Sequence, residues 1–164
     1  MMRGEGGRCM CTAHPASHEI IEAVWRERWG GCVVSPNAAY RPGDVHGLVL
    51  LTDAGDLAAI ATWAPTRLGV EITTLDAIIE GHDYEAELLD AVERTLGHNG
   101  VRCATIITAN DNLRAFQLYA RRGYRLVAIH RDAMEHVRKV KPGLPMIGKD
   151  GIPLCDLWEF EKGL

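Results

Sequence analysis

The chain has 164 residues, of which 47% are hydrophobic and 24% charged, and its formal net charge is −4. That length suits one domain with a substantial core, and the balance is that of a globular protein. A negative net charge supplies no general field for nucleic acid or anionic lipid, and no apolar run reaches the roughly 20 residues that span a bilayer, so neither is an expected partner.

Residues Met1 to Gly7 are glycine-rich and lack the apolar stretch of a secretory signal. Residues 1–7 are therefore expected to be flexible and the chain cytoplasmic. The five cysteines, Cys9, Cys11, Cys32, Cys103 and Cys155, are odd in number and mostly scattered, which argues against a disulfide framework. Cys32, Cys103 and Cys155 read as small apolar residues.

Arg8 to Ala13 suits a short strand, and Ser17 is a cap for a helix from about His18 to Trp29, with Ile20, Ile21, Val24 and Trp25 inward. Gly30-Gly31 stops it. A loop through Pro36, Tyr40, Pro42 and Gly43 leads to a strand at Leu48 to Leu51, and Asp53-Ala54-Gly55-Asp56 turns it into a second at Leu57 to Trp63. Val70 to Ile79 is a third strand. Tyr84, Leu88 and Val92 recur every four residues in a helix from Tyr84 to Leu96. A strand at Val101 to Thr108 precedes a helix marked by Leu113, Phe116 and Ala120 and ended by Gly123. A strand at Arg125 to Ile129, a basic helix from Asp132 to Val140, a Pro/Gly-rich loop from Pro142 to Pro153 and a last strand at Leu154 to Glu161 complete the chain. The expected fold is one α/β domain over residues 1–164, a mixed sheet flanked by helices.

The segment Asn112, Ala115, Tyr119, Gly123 and Tyr124, placed after a strand ending Ile106-Ile107-Thr108, resembles the GNAT superfamily of N-acetyltransferases. Arg28-Trp29-Gly30-Gly31, Glu71-Ile72 and Lys141-Pro142 through Asp150-Gly151-Ile152-Pro153 extend the similarity to a group of small bacterial GNAT proteins. The resemblance implies a mostly antiparallel central sheet, an acyl-CoA cofactor such as acetyl-CoA, a small-molecule or peptide amine as acceptor, and a possible homodimer.

Acetyl transfer from a thioester to an amine needs a base, hydrogen-bond donors for the carbonyl oxygen, an acid for the leaving thiolate and a hold on the cofactor. By resemblance, Tyr119 is the acid, Asn112 contacts the cofactor arm, and backbone of the central strand around Leu75 supplies donors. Asn112 equally suits a helix cap. Glu71, at the start of that strand, stands where the family often places a base acting through water. On a two-residue period it shares a face with Thr73 and Leu75, opposite Ile72, Thr74 and Asp76. Either Glu71 or Asp76 supplies the carboxylate.

The family's glycine-rich turn, which cradles the cofactor's pyrophosphate, registers on Gly81-His82-Asp83-Tyr84-Glu85-Ala86, making Gly81, His82 and Ala86 cofactor-binding candidates. Asp83 and Glu85 stand in place of the two glycines, putting side chains where backbone should touch phosphate and carboxylates against a polyanion. The same acids favour a helix N-terminus and can cap its amides. Cys9, Cys11, His14 and His18 are the residues that would hold a metal, but their spacing is not that of a zinc site and no metal is expected. His82 beside Asp83 is a further catalytic candidate. Three functions follow: an N-acyltransferase; a GNAT-fold protein without normal acetyl-CoA binding that does other chemistry or serves as a binding or partner subunit; and metal-assisted chemistry.

Overall fold

The computed structural model describes residues 11–164. The flexible start expected at residues 1–7, and Cys9, lie outside the described residues. Strand β1 (Cys11–Pro15) leads to α1 (His18–Arg28), whose cap is Ser17: its hydroxyl accepts from the Ile20 amide at 3.3 Å. Gly30 and Gly31 end α1 with φ of +65° and +84°, the left-handed region that suits glycine. The stretch expected as loop holds a two-stranded hairpin, β2 (Val33–Val34) and β3 (Ala39–Tyr40), each too short to leave a periodic signal. Then come β4 (His46–Thr52), β5 (Leu57–Pro65), β6 (Val70–Ala77), α2 (Tyr84–His98), β7 (Cys103–Ala109), α3 (Leu113–Arg121), β8 (Arg125–His130), α4 (Ala133–Val140) and β9 (Leu157–Gly163).

Seven strands form one sheet in the order β1-β4-β5-β6-β7-β9-β8. Every pairing is antiparallel except β6 with β7. The fold is thus the mixed, mostly antiparallel α/β sheet that was expected. One face carries α2 and α3: Leu88, Leu89 and Val92 pack on Ala59, Ala61, Ile72 and Ile106. Each such side chain removed from water contributes on the order of 1.5–3 kcal/mol. The other face carries α1 through Ile21, Val24 and Trp25, and α4 through Met134 and Val137. No helix among the described residues is long and apolar enough to cross a membrane.

One irregularity corrects the two-residue period. The β5–β6 register shifts at Thr62 and Trp63, and Thr73 is the extra residue of a β-bulge. The Thr62 hydroxyl lies 2.7 Å from those of both Thr73 and Thr74, so two consecutive threonines turn to one face. Beyond them the alternation is reversed. Leu75 joins Ile72 on the α2 face, while Asp76 joins Glu71 on the α1 face.

Where β6 begins, Gly69 lets it approach β7: a Cβ there would lie 2.0 Å from the Cys103 carbonyl oxygen. Gly69→Ala should therefore destabilise the fold by about 2 kcal/mol, the cost of forced overpacking. Urea denaturation checks this as a lowered midpoint at unchanged m.

Candidate active site

The parallel strands separate almost as soon as they meet. Val70, Glu71 and Ile72 pair with Ala104, Thr105 and Ile106, and no pairing of β6 with β7 follows. The bulge bends β6 away at that point. On the α2 face the split opens as a cleft of about 310 Å³ lined by Leu75, Ile106, Asn112, Ala115 and Tyr119, which Asp76 reaches from the α1 side. On the other face lies a cavity of about 650 Å³, lined by Val33, Glu71, Met134, Val137, Leu154 and Leu157. Both reach Trp29, Thr73, Thr108, Asn112 and Lys149, so the two spaces meet across the split.

Tyr119 sits on the buried stripe of α3, edge-on to Phe160 with ring centroids 5.5 Å apart. It is 7% exposed, and its hydroxyl has no hydrogen-bonding partner among the described residues. Burial, reinforced by the Glu85 and Asp76 carboxylates, pushes its pKa well above the ordinary phenol value. The group stays protonated, and Tyr119 lines the cleft. Asn112 caps α3, accepting from the Ala115 amide at 3.3 Å, and its side-chain amide donates to the Thr108 hydroxyl at 3.3 Å. The capping role is therefore visible.

Glu71 is 1% exposed. Its Oε2 accepts from the Tyr40 hydroxyl at 2.8 Å and from Asn37 Nδ2 at 3.0 Å. Ser35, accepting from the Asn37 amide at 3.1 Å, shapes the turn that presents both donors. Burial, with the bond to Glu71, drives the Tyr40 pKa upward, so it serves Glu71 as a donor. Asp76 accepts from Trp29 Nε1 at 2.8 Å at the end of α1. Burial raises its pKa above the usual carboxylate value, against the opposing effects of that bond and of Arg28.

At the turn before α2, Gly81 takes φ +85° and His82 stacks on Tyr84 at 4.7 Å. Asp83 occupies the N-cap position, yet its side chain makes no capping bond. Glu85 points instead at Arg114, 3.6 Å away. The expectation that these acids cap the helix is thus corrected for Asp83: at ψ +36° its backbone lacks the extended geometry of a capping residue. Gly81, His82 and Asp83 share a shallow depression with Glu80 and Arg114, whereas Ala86 lines none of these spaces. Arg114 is the cation beside both the cleft and this depression, among the acids Glu80, Asp83 and Glu85.

The described members of the proposed metal set do not converge. Cys11 packs on the core, His14 Nε2 lies 2.9 Å from the Thr12 hydroxyl, and His18 lies 4.0 Å from Glu22. No group of three His, Cys, Asp or Glu arranged to hold a metal occurs among the described residues.

Several site residues carried no sequence signal. Asn37 and Tyr40 stand in an aperiodic stretch, and Trp29 read as the last residue of α1. Asn110 and Asp111 fasten the 148–156 segment beside the split: Asn110 Oδ1 accepts from the Cys155 and Asp156 amides at 3.1 Å, and Asp111 Oδ2 accepts from the Lys149 amide at 2.9 Å. Gly148 packs so closely there that a Cβ would lie 2.2 Å from Asp111 Oδ2.

No family model matches the chain. In sequence it is similar to two uncharacterized proteins of Bacillus subtilis (strain 168). YdhI is 30% identical over 148 residues, 90% of this chain and 92% of that protein. YxbD is 29% identical over 139 residues, 84% of this chain and 87% of that protein. In structure the chain is similar to an IAA acetyltransferase from Bacillus cereus ATCC 14579, with TM-score 0.75 and 16% identity over 94% of this chain and 100% of that one. A GNAT family acetyltransferase from Elizabethkingia anophelis, solved with acetyl-CoA bound, has TM-score 0.70 and 14% identity over 94% of this chain and 98% of that one. A Bacillus subtilis acetyltransferase in complex with CoA has TM-score 0.64 and 22% identity over 74% of this chain and 78% of that one. The chain has the fold of these acetyltransferases.

The Asp76 environment makes a pH prediction. With its folded pKa raised, the native state holds the proton longer than the unfolded chain, so stability falls as pH rises from the ordinary value of 3.8 through the folded pKa. Asp76→Asn keeps an acceptor for Trp29 and removes the buried charge. Its thermal midpoint should match that of the parent below pH 3.8 and exceed it above, the gap growing until the folded pKa is passed and staying constant beyond it.

Proposed function

We propose that the chain is an N-acyltransferase that moves an acetyl or other acyl group from acyl-CoA to an amine of a small molecule or peptide. The observation that carries this reading is the junction at the split: a narrow cleft and a wider cavity on opposite faces of the sheet, meeting between a buried phenol and a buried carboxylate. Acyl-CoA, when bound, supplies the activated acyl group. Leu75, Asn112 and Arg114 would hold it along the cleft, with Gly81 and His82 at the phosphate end. Tyr119 is the proton donor to the departing sulfur; its hydroxyl is free of internal partners and its burial keeps it protonated. Glu71, pinned by Tyr40 and Asn37, takes the proton from the incoming ammonium, directly or through water.

Asp83 and Glu85 favour a second reading, a GNAT-fold protein whose cleft does not take acyl-CoA. Each carboxylate within about 4 Å of a phosphate costs on the order of 1 kcal/mol in water-like dielectric, roughly a fivefold loss of affinity.

Calorimetry with coenzyme A and acetyl-CoA separates the two: saturable binding below millimolar concentration supports the acyltransferase, and none at millimolar concentration removes it. Replacing Asp83 and Glu85 together by Gly should raise coenzyme A affinity about tenfold or more. In a coupled thiol-release assay Tyr119→Phe should lower kcat by about 100-fold with little change in KM for acyl-CoA, and normal turnover would reject Tyr119 as the acid.

A further inference from the structure

The 650 Å³ cavity has an uneven charge distribution. Most of its wall is apolar, built from Val33, Met134, Val137, Leu154 and Leu157. Its two carboxylates are both engaged: Glu71 by Tyr40 and Asn37, and Asp111 by the Lys149 amide. Of its cations, Arg28 and Lys149 act at longer range on the Asp76 carboxylate, and Lys141 faces the Cys32 thiol rather than a carboxylate. None lies within ion-pair distance of a carboxylate among the described residues, although the chain as a whole is net negative.

Lys141 is the most constrained of the three. It is half-buried at the end of α4, its Nζ donates to the Trp29 carbonyl at 2.5 Å, and it lies 5.9 Å over the Trp29 ring. An ammonium carries three donors, so one bond to a carbonyl leaves two for a ligand. Desolvation lowers its pKa, a penalty that an arriving anion relieves. A half-buried cation that lines an apolar cavity and has no carboxylate within ion-pair distance is a recognition group for an anion.

We propose that the acceptor is an apolar amine that also carries a carboxylate, with Glu71 receiving its ammonium, Lys141 its carboxylate, and the α4 side of the cavity its apolar body. This assignment rests on the acceptor side of the acyl transfer proposed above. It is a restriction on substrate class: simple apolar amines lack the anion, and polyamines present cations to a cationic wall.

The test compares matched probes: L-phenylalanine with phenethylamine, and 6-aminohexanoate with hexylamine. Binding is measured by calorimetry with and without coenzyme A, and acetylation is followed separately. In at least one pair the carboxylated member should bind and react at least tenfold better. Lys141→Met should collapse that ratio toward one, and Lys141→Arg should restore much of it. Equal affinity within both pairs, or a ratio unchanged by Lys141→Met, overturns the proposal while leaving acyl transfer standing. Selective binding of the carboxylated probe without any acetylation upholds the proposal and removes the acyltransferase reading. No binding by any probe overturns it.

Discussion

Everything in this molecule that resembles a reaction centre depends on two strands that pair for three residues and then part. Parallel pairing of β6 and β7 brings the α2 and α3 faces onto one core; its early end keeps that core from closing. The bulge at Thr73 sets where pairing stops, and Thr62 holds it by spanning both threonine hydroxyls. A polar cluster so buried is costly unless satisfied, and here each hydroxyl has a partner. The same bulge reverses the strand's phase, which places Glu71 and Asp76 on one face and Leu75 on the other.

Around that gap the chain is fastened by three consecutive side chains. Asn110 holds the backbone at residues 153, 155 and 156, Asp111 holds Lys149, and Asn112 starts α3. Each serves a different element, so one short turn fixes the helix that bears Tyr119 and the segment that closes over the cavity. Asp111 can be 8% exposed because the Lys149 amide replaces its lost water.

The fold was legible because its strongest signals were local. The four-residue recurrence of Tyr84, Leu88 and Val92, the turn at Asp53 to Asp56, and the asparagine-to-tyrosine segment each express a rule that acts within a few residues. The acid and base candidates, Tyr119 and Glu71, were read from the family resemblance. Their surroundings were not legible. The donors to Glu71 lie 31 and 34 residues away in sequence, and Trp29 lies 47 from Asp76, so no short window contains them. The bulge escaped because a period-two reading presumes an unbroken ladder. At the turn before α2, the sequence showed the two acids Asp83 and Glu85, while the ion pair of Glu85 with Arg114 became visible only in three dimensions.

That pair, together with Glu80 and Asp83, has a kinetic meaning. Exposed charges at a cleft mouth act over a Debye length of about 8 Å at physiological ionic strength. A polyanion approaching this mouth meets repulsion before it meets Arg114, so the acids act first on its rate of arrival. Added salt weakens most phosphate complexes by screening attraction; here it would screen a barrier, so a polyanion would reach this mouth faster as ionic strength rises.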